Sequence, residues 1–182
     1  MSDSDQKIIA DLKDANKRDL AFHVLVRTYQ ERLYWHIRKM VMNHDDADDI
    51  LQNTFMKVWR SIDTFREESS LFTWLYRIAT NESITFLNSK KKKSLIPLSE
   101  ENEYLMENLM SDPYFEGEAI QLKLQQAILR LPEKQRIVFN MKYFEELKYE
   151  DMAQILDTSV GALKASYHHA AKKVEEYIKS SD

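Results

Sequence analysis

The sequence predicts an all-α protein: two small helical domains joined by a flexible acidic linker, the C-terminal one containing a helix-turn-helix. Three observations carry this. Two glycines and three prolines in 182 residues leave little material for hairpin turns, strand bulges or phosphate-cradling loops, against an average usage of about 7% and 5%. Apolar residues recur at three- and four-residue steps along most of the chain, the period of a helix face. Charge falls into three blocks: residues 1–93 carry a net +2, residues 94–118 hold seven acids and no Lys or Arg, and residues 119–182 carry a net +1. Pro97, Pro113 and Gly117 also lie in the acidic block. The domains are therefore expected at 1–93 and 119–182, with 94–118 as the connector. On composition that connector is a solvated spacer.

The same composition narrows function. The glycine count excludes a dinucleotide fingerprint and a P-loop. The absence of cysteine excludes a disulfide scaffold, a thiol nucleophile and a thiolate zinc site. With 43% hydrophobic and 31% charged residues, the chain reads as globular. No apolar run is long enough to span a bilayer. The acidic opening Met1-Ser2-Asp3-Ser4-Asp5 lacks the core of a signal peptide, so a reduced cytoplasmic setting is expected.

Within the first block, Ile8, Ile9 and Leu12 mark a short opening helix that Ser4 is placed to cap. Phe22, Leu25, Tyr29, Leu33, Ile37, Met40 and Val41 form one stripe of a long helix ending near Asn43-His44. Asp45 and Asp46 open the next helix, where carboxylates suit the positive end of the dipole. Its core stripe is Leu51, Phe55, Val58, Trp59 and Ile62; its other face carries Asp49, Gln52, Asn53 and Met56. By residue type alone that face is solvated surface. A polar loop, Thr64 to Ser70, leads to a helix from Leu71 to about Lys91, capped by Ser70. Arg77, Asn81, Ile84, Asn88 and Lys91 make its second face. Beside Phe72, Trp74 and Tyr76 these groups suit a nucleic-acid strand, though core aromatics and a solvated face produce the same pattern.

In the last block a helix from near Glu118 breaks at Leu131-Pro132, with Pro132 opening the next helix. Ile137, Val138, Met141 and Phe144 give that helix its apolar side. Tyr149 to Leu156 forms a short amphipathic helix. Asp157-Thr158 makes a tight turn, and Ser159 caps a final helix from Val160 to about Lys179. Two short helices joined by three residues, with Ala153 at their crossing, fit a helix-turn-helix; an ordinary helical hairpin is the alternative. The second helix exposes Lys164, Ala165, Ser166, His168, His169, Lys172 and Lys173, donors and small residues suited to a major groove. His168 and His169 point about 100° apart on a helix and cannot chelate one metal together, so no metal or other cofactor is expected.

Three motifs together resemble the extracytoplasmic-function (ECF) group of the sigma-70 family of bacterial RNA polymerase. Asp46 to Phe55 (DADDILQNTF) is similar to the family's polymerase-clamp-binding helix. Phe65-Arg66, then Ser70 to Ala79 (SLFTWLYRIA) with Asn81, is similar to its promoter-melting segment. Leu131 to Arg136, Tyr149 to Ala153 and Ser159 to Gly161 are similar to its minus-thirty-five-binding domain. The resemblance spans about residues 18–93 and 119–178. It implies a factor without catalysis of its own that binds core polymerase and directs promoter recognition and melting. Its implied partners are core polymerase, promoter DNA and an anti-sigma factor, which in the family can be membrane-bound; no small-molecule substrate is implied.

Carried over by position, Asp49, Gln52, Asn53 and Met56 dock on the clamp. Arg66, Ser69, Ser70, Trp74, Arg77 and Asn81 engage the minus-ten strand, with the loop from Arg66 to Ser70 receiving a flipped base. Lys164, Ala165, Ser166, His168, His169 and Lys172 engage the minus-thirty-five element. The acidic connector matches the segment threaded toward the RNA exit path, where a −7 spacer suits a cationic channel. Departures from the family pattern are Asn53 in place of Glu, Lys148 in place of a Ser cap, Asp157 in place of Gly, and a recognition helix poor in arginine, with Ala162, Ala165, Ser166, His169 and Ala171. Two other readings use less of the sequence: a stand-alone helix-turn-helix regulator needs only residues 119–182, and a helical adaptor needs no DNA face.

Overall fold

A computed structural model of the chain describes residues 3–94, 101–110 and 119–180. Among the described residues the order is α1 (Asp3–Lys13), α2 (Arg18–Val41), α3 (His44–Ser61), a 3₁₀ turn (Ile62–Thr64), α4 (Leu71–Ser94), α5 (Glu101–Met110), α6 (Ala119–Leu129), α7 (Glu133–Tyr143), α8 (Tyr149–Leu156) and α9 (Val160–Ser180). Pro97, Pro113, Gly117 and the expected helix start at Glu118 lie outside these residues.

Three ends follow the residues that were expected to form them. Ser70 Oγ accepts from Thr73 N–H at 3.1 Å, and Ser159 Oγ accepts from Ala162 N–H at 3.2 Å, each satisfying a donor the first turn leaves open. Asp157 takes the left-handed conformation (φ 51°) that turns α8 into α9; a short polar side chain tolerates it. Lys148 precedes α8 without a side-chain cap. Two ends differ. α1 begins at Asp3, so Ser4 sits inside its first turn rather than capping it. Pro132 is the residue before α7, at ψ 144°, because an extended ψ is what carries the chain out of the turn at Leu131. At α3 the cap is Asn43, whose side chain accepts from Asp46 N–H at 2.9 Å.

The buried faces of α2, α3 and α4 meet through Leu25, Leu33, Ile37, Ile50, Val58, Leu71, Leu75 and Ala79, with Ile8, Ile9 and Leu12 of α1 covering one end. Lys57–Glu82 and Lys90–Asp46, at 2.6 Å each, tie α3 to α4 at the rim. The C-terminal helices bury a second cluster, with Ile128, Leu131, Phe139, Ala170 and Val174.

These two halves do not stay apart. Ile137, Val138, Met141, Leu147, Met152, Ile155 and Leu163 join the same apolar cluster as the α2–α4 core, and α8 lies against α4. Inside the acidic connector α5 adds its own contact: Leu105 and Leu109 are buried against Met42, at the end of α2, and Leu129, at the end of α6. Glu107 is exposed, and the Leu105/Leu109 pair, one turn apart, marks the side of α5 that docks.

Candidate nucleic-acid interface

On α3 the periodicity that buries Ile50, Thr54 and Val58 turns Asp49, Gln52, Asn53 and Met56 outward, and all four are exposed. Met56 stays 46% exposed. Beside it runs a shallow groove of about 370 Å³ lined by Phe22, Val26, Gln52, Phe55, Met56, Trp59 and Arg60. Phe22 meets Trp59 edge-on at 4.9 Å. An apolar floor with a polar rim is the composition of a protein-docking surface. Val26 and Arg60 belong to it and were not singled out in sequence; Phe22 was read there only as core. Phe22 sits on the α2 core stripe with Val26 one turn along, and only the crossing of α2 with α3 shows that its edge is open.

At the N-terminal end of α4 a cavity of about 510 Å³ is lined by Thr64, Phe65, Arg66, Glu68, Ser69, Thr73, Trp74, Arg77, Ala153, Gln154 and Asp157. The Phe65 and Trp74 rings pack at 4.9 Å and 39°, giving it an aromatic wall. Arg66, Ser69, Trp74 and Arg77 therefore converge on one space. Ser70 does not line it; its hydroxyl is spent on the cap and on Thr73 Oγ1 at 2.8 Å. Asn81 is exposed one turn beyond Arg77, along the helix rather than in the cavity. The cavity has a second owner: Ala153, Gln154 and Asp157 come from α8 and the turn after it, about 80 residues away in sequence. Thr73 Oγ1 reaches Asp151 Oδ1 at 3.3 Å across the same junction.

On α9 Lys164, Ala165, His168, His169 and Lys172 are exposed and share one face, opposite Leu163, Ala170 and Val174. Lys164 Nζ stands over the Tyr149 ring at 5.7 Å. Ser166 departs from that face: it is half-buried and lines a crevice with Ile84 of α4, Glu133, Lys134 and Ile137. Three residues after buried Leu163, it lies back toward the core side of the helix. The His168 and His169 rings stand 5.9 Å apart at 61°. Among the described residues no group of three or more His, Cys, Asp or Glu is placed to hold a metal ion, and no helix is long and apolar enough to cross a membrane.

One polar cluster was invisible in sequence. His36, 2% exposed at its side chain, joins Glu145 of the α7–α8 connection at 3.0 Å and Thr80 of α4 at 2.8 Å. Burial alone would raise the Glu145 carboxyl; the His36 ring, and then Lys39, more than offset it and hold the group below the usual carboxylate range. The Tyr76 ring lies against His36 at 4.7 Å, tilted by 39°, and burial, then the Glu145 charge, push its phenol well above its ordinary value. The pairing residues are 109 positions apart, so no local pattern announces them.

Sigma-70 region 2 matches residues 25–93 of this chain and Sigma-70 region 4 matches residues 121–174. The chain is 30% identical to the ECF RNA polymerase sigma factor SigW of Bacillus subtilis over 92% of its own length and 95% of that protein. It is 29% identical to the ECF RNA polymerase sigma-E factor of Haemophilus influenzae, over 96% and 95%. Among solved structures, CnrH in complex with the cytosolic domain of CnrY shares the fold at TM-score 0.72 and 20% identity, over 99% of this chain and 100% of that one. The sigma factor RpoE in complex with the anti-sigma factor NepR from Bartonella quintana shares it at TM-score 0.67 and 22% identity, over 87% and 96%.

Proposed function

This chain belongs to the ECF sigma factors of the sigma-70 family and directs promoter recognition and transcription initiation without catalysis of its own, and we propose how its three faces divide that work. The observation that carries the division is that one chain presents an apolar docking groove, an aromatic-walled cavity with two arginines and a helix-turn-helix with an open cationic face.

The α3 face, Asp49, Gln52, Asn53 and Met56 with the groove beside it, docks on the clamp of core RNA polymerase. The cavity under Phe65 and Trp74 receives a base extruded from the minus-ten element. Extrusion costs a few kcal/mol in lost stacking and pairing; a ring stacked on Trp74 regains about 1–3 kcal/mol. Arg66 and Arg77 balance phosphate charge at its mouth, and Asn81 meets the strand one turn further along α4. On the minus-thirty-five duplex, Lys164, Ala165, His168, His169 and Lys172 face the major groove, and Ser166 reaches DNA only when the α4 side of α9 is uncovered. With two lysines and no arginine on this face, it lacks the planar guanidinium fork, and guanine contacts fall to Lys164 and Lys172. Partners follow from the same reading: core polymerase, promoter DNA and an anti-sigma factor, in the cytoplasm, where the polymerase works.

Reconstitution tests it. The purified chain with core polymerase should give run-off transcripts from promoters selected out of genomic DNA. Failure to form a holoenzyme overturns the clamp assignment. Holoenzyme that forms but does not open any promoter overturns the assignment of α4.

A further inference from the structure

The opening helix does more than cover one end of a core. α1 buries Ile8, Ile9 and Leu12 in the α2–α4 cluster, and Tyr29 of α2 donates to Asp5 Oδ1 at 2.6 Å. Its position on α2 is thereby fixed. Lys13, next to buried Leu12, meets the carboxylate of Glu67. Further on, Arg18 opens α2 and grips the end of α3. Its Nη1 donates to both carboxylate oxygens of Asp63, at 3.2 and 3.1 Å. Its Nη2 donates to the Trp59 carbonyl at 3.2 Å, and the guanidinium lies over the Trp59 ring at 4.9 Å. That carbonyl belongs to the last turn of α3, where acceptors lack a helical partner. Lys13 and Arg18 both precede residues 25–93, the part matched to Sigma-70 region 2.

Both grips fall on one segment, the stretch from Asp63 to Ser69. It supplies Thr64, Phe65, Arg66, Glu68 and Ser69 to the cavity beside Trp74, while Asp63 and Glu67 hold on from outside the lining. The start of the segment is tied locally: Thr64 Oγ1 donates to the Ser61 carbonyl at 2.6 Å, and Phe65 N–H to the Ile62 carbonyl at 3.1 Å. At its middle Glu67 takes the left-handed conformation, φ 60°. That conformation is disfavoured for a residue with a Cβ and persists where the surroundings hold it. The ion pair from Lys13 lands on this same residue.

We propose that Lys13 and Arg18 are positioning residues for promoter reading: they hold residues 63–69 in the shape that lets Arg66, Ser69 and Trp74 converge on an extruded base. The proposal rests on the minus-ten reading of the cavity and adds what keeps the cavity shaped. Neither side chain touches the base. Lys13, Glu67 and Asp63 are 50%, 41% and 64% exposed at their side chains, so these pairs contribute little to global stability. A short loop choosing among conformers of similar energy is decided on that same small scale. A loosened loop weakens the grip on the matched base more than on mismatched ones, so selectivity falls before stability does.

The test uses Lys13→Met/Asp63→Asn in the full chain. This variant breaks both grips on the loop and leaves Arg18 its contacts with Trp59, which also lines the α3 groove. Lys17→Met is the control: Lys17 pairs with Asp11 and Asp14 of the neighbouring turn, at 3.5 and 3.7 Å. Thermal melting, core-polymerase affinity and amide exchange of residues 63–69 are read first. In holoenzyme, open-complex yield is then measured on promoters carrying each of the four bases in turn along the minus-ten element. In the double variant, melting should move by at most a few degrees and core affinity by less than about twofold, as for surface substitutions. Exchange across 63–69 should rise. The yield ratio between the preferred base and the others should fall about three- to tenfold, within what two exposed ion pairs supply. Lys13→Arg keeps its pair and should keep the wild-type ratio, as should Lys17→Met. Unchanged loop exchange in the double variant overturns the grip. A loosened loop with an unchanged base ratio overturns its part in promoter reading, and so does a fall in yield that is equal for all four bases. A wild-type holoenzyme that opens all four bases equally is instead the failure of the minus-ten reading, and the exchange of residues 63–69 still decides whether the grips hold the loop.

Discussion

The double variant Leu105→Ala/Leu109→Ala should release α5 and leave the rest of the chain folded. α5 has ten residues, fewer than the roughly 12–15 at which an isolated helix becomes stable in water. Its order must come from docking. Leu105 is fully buried and Leu109 nearly so, against Met42 and Leu129. Burying a leucine side chain contributes about 1.5–3 kcal/mol, so the pair supplies roughly 3–6 kcal/mol. Alone, a helix of this length is marginal at best, so the docking contribution decides whether α5 forms. Truncating both leucines removes nearly all of the favourable side. The assay is amide exchange read on residues 101–110, with far-UV circular dichroism and thermal melting beside it. Exchange in α5 should approach that of an unstructured peptide. Ellipticity should fall by the share of ten residues in 182. The main transition should move by a few degrees, since Met42 and Leu129 lose only a cover. Protected α5 amides in the double variant would refute the reasoning and mean that backbone or polar contacts hold the connector.

Three further outcomes are expected. Asp49→Ala/Gln52→Ala removes two exposed polar groups, so stability should change by less than about 0.5 kcal/mol, while core-polymerase affinity measured by competition should fall about 10- to 100-fold, the equivalent of about 1.4–2.8 kcal/mol; wild-type affinity would remove α3 from the clamp interface. Asn81→Ala should leave holoenzyme formation intact and reduce permanganate reactivity of the melted bubble, and an unchanged footprint would remove Asn81 from the minus-ten contact. His169→Arg should tighten binding to a minus-thirty-five duplex at pH 7.5 and steepen its salt dependence by about 0.9 for the added phosphate contact, as read by fluorescence anisotropy; an unchanged slope would place position 169 away from phosphate.

How much of this was legible follows from the range of each interaction. The helices of 18–93 and 119–178 are written in three- and four-residue periodicity, and the Ser70 and Ser159 caps and the Asp157 turn are local side-chain chemistry read within three residues. The exposure of this α3 face was legible for the same reason: on a helix whose core stripe is known, Asp49, Gln52, Asn53 and Met56 must lie on another side. Sequence also carried the three motifs and their order, and with them the family. Ser4 and Pro132 were misplaced by a residue or two because helix ends are settled by small local energies.

The crossing of helices belonged to tertiary structure. Phe22 reads as core and proves to line an open groove, because exposure depends on where α3 crosses α2. Ser166 read as part of the DNA face and proves to turn toward α4. The cavity beside Trp74 takes a wall from Ala153, Gln154 and Asp157, and the His36–Glu145 pair joins residues 109 apart. Periodicity says which side of each helix is apolar. It does not say which other helix covers that side, because two apolar stripes of similar width fit many partners. The choice here was made by shape across the α4–α8 junction and by one buried polar pair, His36 with Glu145, neither of which leaves a mark within a turn or two of sequence.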